Sequence, residues 1–199
     1  MSNINTSETK NQNEESATFP RAPEAHQESV FTTTLYAQPY NMDAVGFYFH
    51  SFEEYEQKSE NLRDRFGNVV EEFEIQYIDG SDADLFGACG INQSNLSTWF
   101  DDMEDMDDNE KVALYFLTGE LGYDLDQAMD KREDVIIFEG DAKEAAEELF
   151  DECYAHTIPE NLRFYFDMEK FARDLEIGGD FNEFSFNGTT YTCTNASGI

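Results

Sequence analysis

Between Glu71 and Glu110 the chain carries thirteen acidic side chains and neither lysine nor arginine. Forty residues with one sign of charge cannot fold by pairing charges. They must bury apolar side chains on one face and leave the carboxylates in water. The whole sequence has the same bias, with 44 Asp and Glu against 12 Lys and Arg and a formal charge of −32. A disordered acidic chain is poor in aromatics; here 18 Phe and 10 Tyr supply material for a core. Such a charge repels phosphate, so nucleic acid is excluded as a default ligand, and the natural partners are basic surfaces.

The charge belongs to the body. Residues 1–33 are rich in Ser, Thr, Asn, Gln and Glu and lack any apolar period, the pattern of a disordered polar tail. They carry −3, which leaves −29 for residues 34–199. The N-terminus lacks the layout of a signal peptide, and no run of 18 apolar residues offers a membrane span. Cys89, Cys153 and Cys193 lie far apart and odd in number, as reduced thiols of a cytoplasmic protein would.

The body reads as α+β. Strand-like pieces at Thr34–Gln38 and Val45–His50 precede Ser51-Phe-Glu-Glu54, a capping box. The helix it opens carries an apolar stripe at Phe52, Tyr55, Leu62 and Phe66. Glu71–Ile78 alternates like a half-buried strand, closing a first α/β module at residues 34–80. Residues 81–131 form a helical module, with Leu96, Trp99, Phe100, Met103 and Met106 as one stripe and Asp107-x-x-Glu110 capping the next helix. Residues 132–199 form a second α/β module. It holds a strand at Val135–Phe138, helices at Asp141–Tyr154 and Met168–Leu175, and a hairpin around Asn187-Gly188.

The helix at 141–154 is the most informative. Ala142, Ala145, Ala146, Leu149, Phe150, Cys153 and Tyr154 make its apolar face, and Glu144, Glu147, Glu148, Asp151 and Glu152 line the other. At ~1.5 Å rise per residue, these five charges span roughly 12 Å, or one per about 2.4 Å. Duplex DNA carries about one per 1.7 Å of axis. Ordinary surface helices place Lys four residues from Glu and gain ~0.2–0.5 kcal/mol per pair. Glu144–Glu148, Glu148–Glu152 and Glu147–Asp151 forgo that gain. For a single acid, a soluble surface is explanation enough; for the ensemble, the field itself is the feature selected. The −29 of the body matches the phosphates of roughly 14–15 base pairs.

Enzymatic chemistry has no foothold. There is no phosphate loop or nucleophile elbow. His26, His50 and His156 are scattered without a zinc-ligand spacing, and Asp82-x-Asp84 and Asp124-x-Asp126 lack the rest of a calcium loop. Neither a catalytic residue, a metal nor a cofactor is expected.

Several segments resemble the ArdA family of antirestriction proteins. They are Thr34-Leu-Tyr-Ala-Gln-Pro-Tyr, Gly46-Phe-Tyr-Phe with the Glu-Glu-Tyr helix after it, Glu71-Glu-Phe-Glu-Ile-Gln-Tyr-Ile-Asp-Gly, Ile158-Pro-Glu-Asn-Leu and Phe171-Ala-Arg-Asp-Leu-Glu. In order, they span residues 34 to about 194. The resemblance implies an elongated, curved chain of three small modules that pairs into a homodimer. It also implies a DNA mimic occupying the DNA groove in the methyltransferase core of type I restriction–modification enzymes. The family's antirestriction motif falls near Ala145–His156, where this chain departs in Phe150, Cys153 and Tyr154; Phe150 and Tyr154 mark a candidate dimer or motif region. The residues expected to imitate phosphates are Glu53, Glu54, Glu56, Asp101, Asp102, Glu104, Asp105, Asp107, Asp108, Glu144, Glu147, Glu148, Asp151 and Glu152. Two other readings compete: an acidic module that sequesters a different basic protein (nucleoid protein, repressor or CRISPR effector), and a halophilic enzyme whose acidity serves solvation.

Overall fold

Thr33, Leu35, Ala37 and Pro39 are buried while Thr34, Tyr36 and Gln38 are half-buried, the alternation of a strand covered on one face. This strand is the centre of the first sheet in a computed structural model that describes residues 33–199. The tail expected at 1–33 lies outside the described residues, except for Thr33, which pairs with Gly80.

In chain order the elements are β1 (Thr33–Pro39), β2 (Phe47–Phe49), α1 (Phe52–Asn61), β3 (Phe73–Gly80), α2 (Ala83–Ala88), α3 (Leu96–Thr98) and α4 (Asp108–Tyr115). There follow α5 (Leu125–Lys131), β4 (Ile137–Glu139), α6 (Ala142–Leu149), α7 (Glu160–Arg163), α8 (Met168–Gly178), β5 (Asn182–Phe186) and β6 (Thr189–Cys193). The α+β expectation is borne out in two antiparallel three-stranded sheets, ordered β2-β1-β3 and β4-β6-β5, with α2 to α5 between them in sequence.

The first sheet's register places Leu35 opposite Phe49 and Tyr77, and Ala37 opposite Phe47 and Ile75. Gln93 finishes the edge of β3. Its side-chain oxygen accepts the Phe73 N–H (2.9 Å), and its amide donates to the Glu71 carbonyl (2.8 Å). The second sheet turns through Asn187 and Gly188, whose φ values of 49° and 80° match the mirror-image turn that Asn-Gly favours. The Asn187 amide also donates to the Ser81 carbonyl (3.1 Å), tying this turn to the start of α2.

One core cluster runs from Leu35 to Cys193 around the fully enclosed Trp99. Trp99 meets Phe86 and Tyr77 edge-on. A smaller cluster of Ala142, Ala145, Ala146, Ala172 and Phe181 joins α6 to α8, where alanines let the helices approach closely.

The helix begun at Ser51 stops at Asn61, short of the expected stripe. Leu62 is extended, Arg63 bridges to Val69, and Phe66 is exposed. The cause is Asp64, a buried carboxylate that accepts the N–H groups of Phe66 (2.9 Å) and Asn68 (2.8 Å) and closes a turn through Gly67 at φ +86°. The strand expected from Val45 starts at Phe47, and Val45 is exposed.

Candidate partner-binding surface

Asp141 opens α6 with a reciprocal cap: its carboxylate accepts the Glu144 N–H (2.8 Å), and Glu144 accepts the Asp141 N–H (3.2 Å). Ala142, Ala145 and Ala146 are buried against α8 and Phe181, with Leu149 packed beside them. Glu147, Glu148, Asp151 and Glu152 therefore point into water, and none has an ion-pair or hydrogen-bond partner. The nearest lysine in sequence, Lys143, turns to Glu169 on α8 (3.6 Å).

The apolar face of this helix ends earlier than its spacing predicts. After Leu149 the backbone makes a π turn, Phe150–Tyr154, closed by the Ala155 N–H on the Phe150 carbonyl. The extra residue in that turn rotates the residues beyond it by about one position, ~100°. Phe150 is buried on Phe166 (ring centroids 4.4 Å), whereas Cys153 and Tyr154 face solvent. Of the two residues marked as a dimer or motif region, only Tyr154 is exposed.

A second acidic group lies on α3 and its continuation. Leu96, Trp99, Met103 and Met106 are buried, through a π turn at Trp99–Met103, and this leaves Asp101, Asp102 and Asp105 outward. Glu104 is half-buried, and its carbonyl accepts Lys111 Nζ (3.1 Å). Asp107 and Glu110 cap α4 reciprocally (2.9 and 3.2 Å), and Asp108 is exposed and unpartnered. On α1, Glu53 and Glu56 are exposed and free of partners. The Glu54 carboxylate instead accepts the His50 N–H (2.8 Å) and Lys58 Nζ (2.6 Å). Burial works to raise the Glu54 pKa, but these two donors prevail and hold it below the ordinary value. Phe49 touches both Tyr55 of α1 and Phe100 of the π turn, so these two acidic groups flank one aromatic cluster. The α6 group sits on the helices of the other sheet.

Of the fourteen acids expected to imitate phosphates, ten are exposed carboxylates with no partner. Glu54, Asp107 and Glu144 hold helix starts, and Glu104 is half-buried. Sequence reasoning missed the reverse case, acids that act inside the fold. Asp82 is buried on Lys111 (2.9 Å) at the start of α2. Asp64 organises its loop, and its local signal was the Asp-Arg-Phe-Gly-Asn turn pattern. Among the described residues there are five ion pairs for 39 acids and ten Lys and Arg, so the surface charge stays largely uncompensated. No group of three or more His, Cys, Asp or Glu among them is placed to hold a metal ion. None of their helices is long and apolar enough to cross a membrane.

The family model for the antirestriction protein ArdA matches residues 15–188, most of the chain. The chain belongs to the ArdA family. Membership carries an antirestriction function, and ArdA proteins are inhibitors of restriction rather than enzymes. The match begins before the resemblance read from motifs, so part of the N-terminal stretch belongs to the family pattern as well. A comparison with curated proteins finds no match.

Proposed function

We propose that this ArdA protein acts in the cytoplasm as a DNA mimic, filling the DNA groove of a type I restriction–modification enzyme with its carboxylates. The observation that carries the reading is the set of ten exposed acids without partners. Glu147, Glu148, Asp151 and Glu152 on one helix face are the densest part of it. Lysines and arginines that normally hold phosphates meet them instead, and counterions leave both surfaces, as they do when DNA is bound. A field of this size also steers encounter. The three stretches 34–80, 81–131 and 132–199 each contribute acids, and pairing into a homodimer doubles the ribbon and adds avidity.

The test is DNA cleavage by a purified type I enzyme titrated with the protein at two salt concentrations, with a type II nuclease as control. Selective inhibition that weakens at high salt is expected, and a parallel methylation assay shows whether that activity is blocked too. Failure to inhibit at large excess would sink the type I assignment. It would redirect the same surface to another basic DNA-binding protein.

A further inference from the structure

Ile136 stands out on an acidic surface, a branched apolar side chain that is 58% exposed among carboxylates. Its backbone is pinned just ahead of β4. The N–H donates to Asn195 Oδ1 (2.9 Å), and the carbonyl accepts the Thr194 N–H (2.9 Å). The sheet therefore holds this side chain outward; it is not a frayed end.

Two recesses share Ile136 and Ile137 as walls. The first faces α4 and is lined by an arginine of the chain itself. Arg132 Nε lies 3.5 Å from the Glu110 carboxylate, and a terminal nitrogen of the same guanidinium donates to the Met129 carbonyl. The second recess, about 190 Å³, opens between β4 and α6. Phe138, Ala145 and Leu149 complete its apolar wall, and the exposed, unpartnered Glu148 and Glu152 line it as well. Neither Lys nor Arg is among its lining residues. One recess holds its own cation; its neighbour presents two carboxylates over an apolar floor and holds none.

Resting on the DNA-mimic reading above, we propose that the recess between β4 and α6 receives an arginine side chain of the target's DNA-binding groove. Its methylenes lie on Ile136 and Leu149, and its guanidinium is shared by Glu148 and Glu152. The volume falls below the ~300–1,000 Å³ of small-molecule pockets and suits a single side chain. Long basic side chains bury their stems on apolar surface and keep the charged head at the water boundary. Lysine brings a compact, strongly hydrated charge, whereas the planar guanidinium is more weakly hydrated and has five N–H donors to divide between two carboxylates. A phosphate offers the charge without an apolar floor beneath it, so this contact adds to what mimicry of DNA supplies. Apolar burial releases no counterions, and its share of the affinity is insensitive to salt.

The full chain is tested in two arms. In the first, hexa-arginine is titrated while the Ile136 and Leu149 methyl resonances are followed by NMR, with hexa-lysine as the probe of equal charge. Hexa-arginine should shift both methyls and bind at least threefold more tightly than hexa-lysine, and Ile136→Ser should remove that advantage. In the second arm, inhibition of a purified type I enzyme is measured across a salt series. Ile136→Ser should weaken it about fivefold with the salt slope unchanged, while Glu148→Gln/Glu152→Gln should weaken it about tenfold and flatten the slope. Val45→Ser, at an exposed apolar residue of the first sheet's module, should match the wild type in both arms. Should Ile136→Ser disturb the circular-dichroism spectrum, Ile136→Thr keeps the β-branch and gives the same readout. Hexa-arginine that leaves the methyls unshifted, or binds no more tightly than hexa-lysine, would overturn the arginine assignment. So would an Ile136→Ser protein that inhibits as well as the wild type. A wild type that shows the arginine signature yet fails to inhibit would keep the recess and overturn the type I reading instead.

Discussion

Asp82 and Lys111 face each other at 2.9 Å with side chains only 11% and 13% exposed, the most enclosed ion pair among the described residues. Removing one partner of a buried pair leaves the other charged and unsolvated, at about 3–5 kcal/mol. Lys111→Met should therefore destabilise the protein by about 3 kcal/mol in urea unfolding. Adding Asp82→Leu should recover much of that loss, because no orphan charge remains. Asp64 is a second structural carboxylate. The Asn68 amide donates to it (3.0 Å), with further N–H donors beside it, and against the cost of burial these hold its pKa below the usual carboxylate value. A folded pKa below the unfolded one gives stability that is present above pH ~4 and is lost as pH falls through the folded value. Asp64→Asn should lower the melting temperature at pH 7 and flatten its decline below pH 4. An unchanged acid limb would remove Asp64 from the account. Neither role was legible in composition, since 44 acids look alike until burial separates them.

Elements were more readable than single residues, and for a definite reason. A cap is local chemistry, so Ser51 and Asp107 announced α1 and α4 from the sequence, and both accept the N–H three residues on, as Asp141 does at the start of α6. The same locality made Asn187-Gly188 a reliable turn. What failed was the far end of α1 and the helical phase after Leu149 of α6. Trp99, Phe116 and Phe150 are each almost wholly enclosed, and each begins a π turn. Such a turn keeps a large ring in the core at the expense of helical phase, so its place is set by tertiary packing that no short window contains. The outward Cys153 and Tyr154 are the visible result. The caps also separate structure from binding. Asp141→Ala should cost about 1 kcal/mol of stability, measured by thermal or urea unfolding, yet change inhibition little, because Asp141 is not among the free carboxylates. Glu147→Gln should do the reverse in kind: stability held or slightly raised as a like-charged neighbour of Asp151 is removed, with inhibition altered less than about threefold. If either single change abolished inhibition with the fold intact, a distributed surface would be the wrong description.

For the whole molecule the governing quantity is a charge of −32, of which residues 34–199 carry −29 with few internal counter-charges, and salt acts on it in two opposite ways. Within one chain, screening weakens repulsion among acids spaced a few ångströms apart along α6 and the 101–108 segment, at a Debye length of ~10 Å in 0.1 M salt. Stability should therefore rise with ionic strength. The melting temperature should gain about 5 °C or more between 10 and 500 mM NaCl, since a protein of this size moves ~2–4 °C per kcal/mol. The core from Leu35 to Cys193 does not depend on that screening, so the chain should stay folded in dilute buffer, where a halophile's protein would unfold. Between chains the sign depends on the partner. Binding to a basic groove should weaken by at least tenfold over a salt range that strengthens the fold, because it draws on released counterions. Measuring melting temperature and inhibition on one preparation across one salt series thus isolates the surface from the core. Parallel loss of both would mean that inhibition tracks folding. Opposite slopes are what carboxylates facing a partner's cations require, and the slope of log affinity against log salt scales with the number of ion contacts made at once.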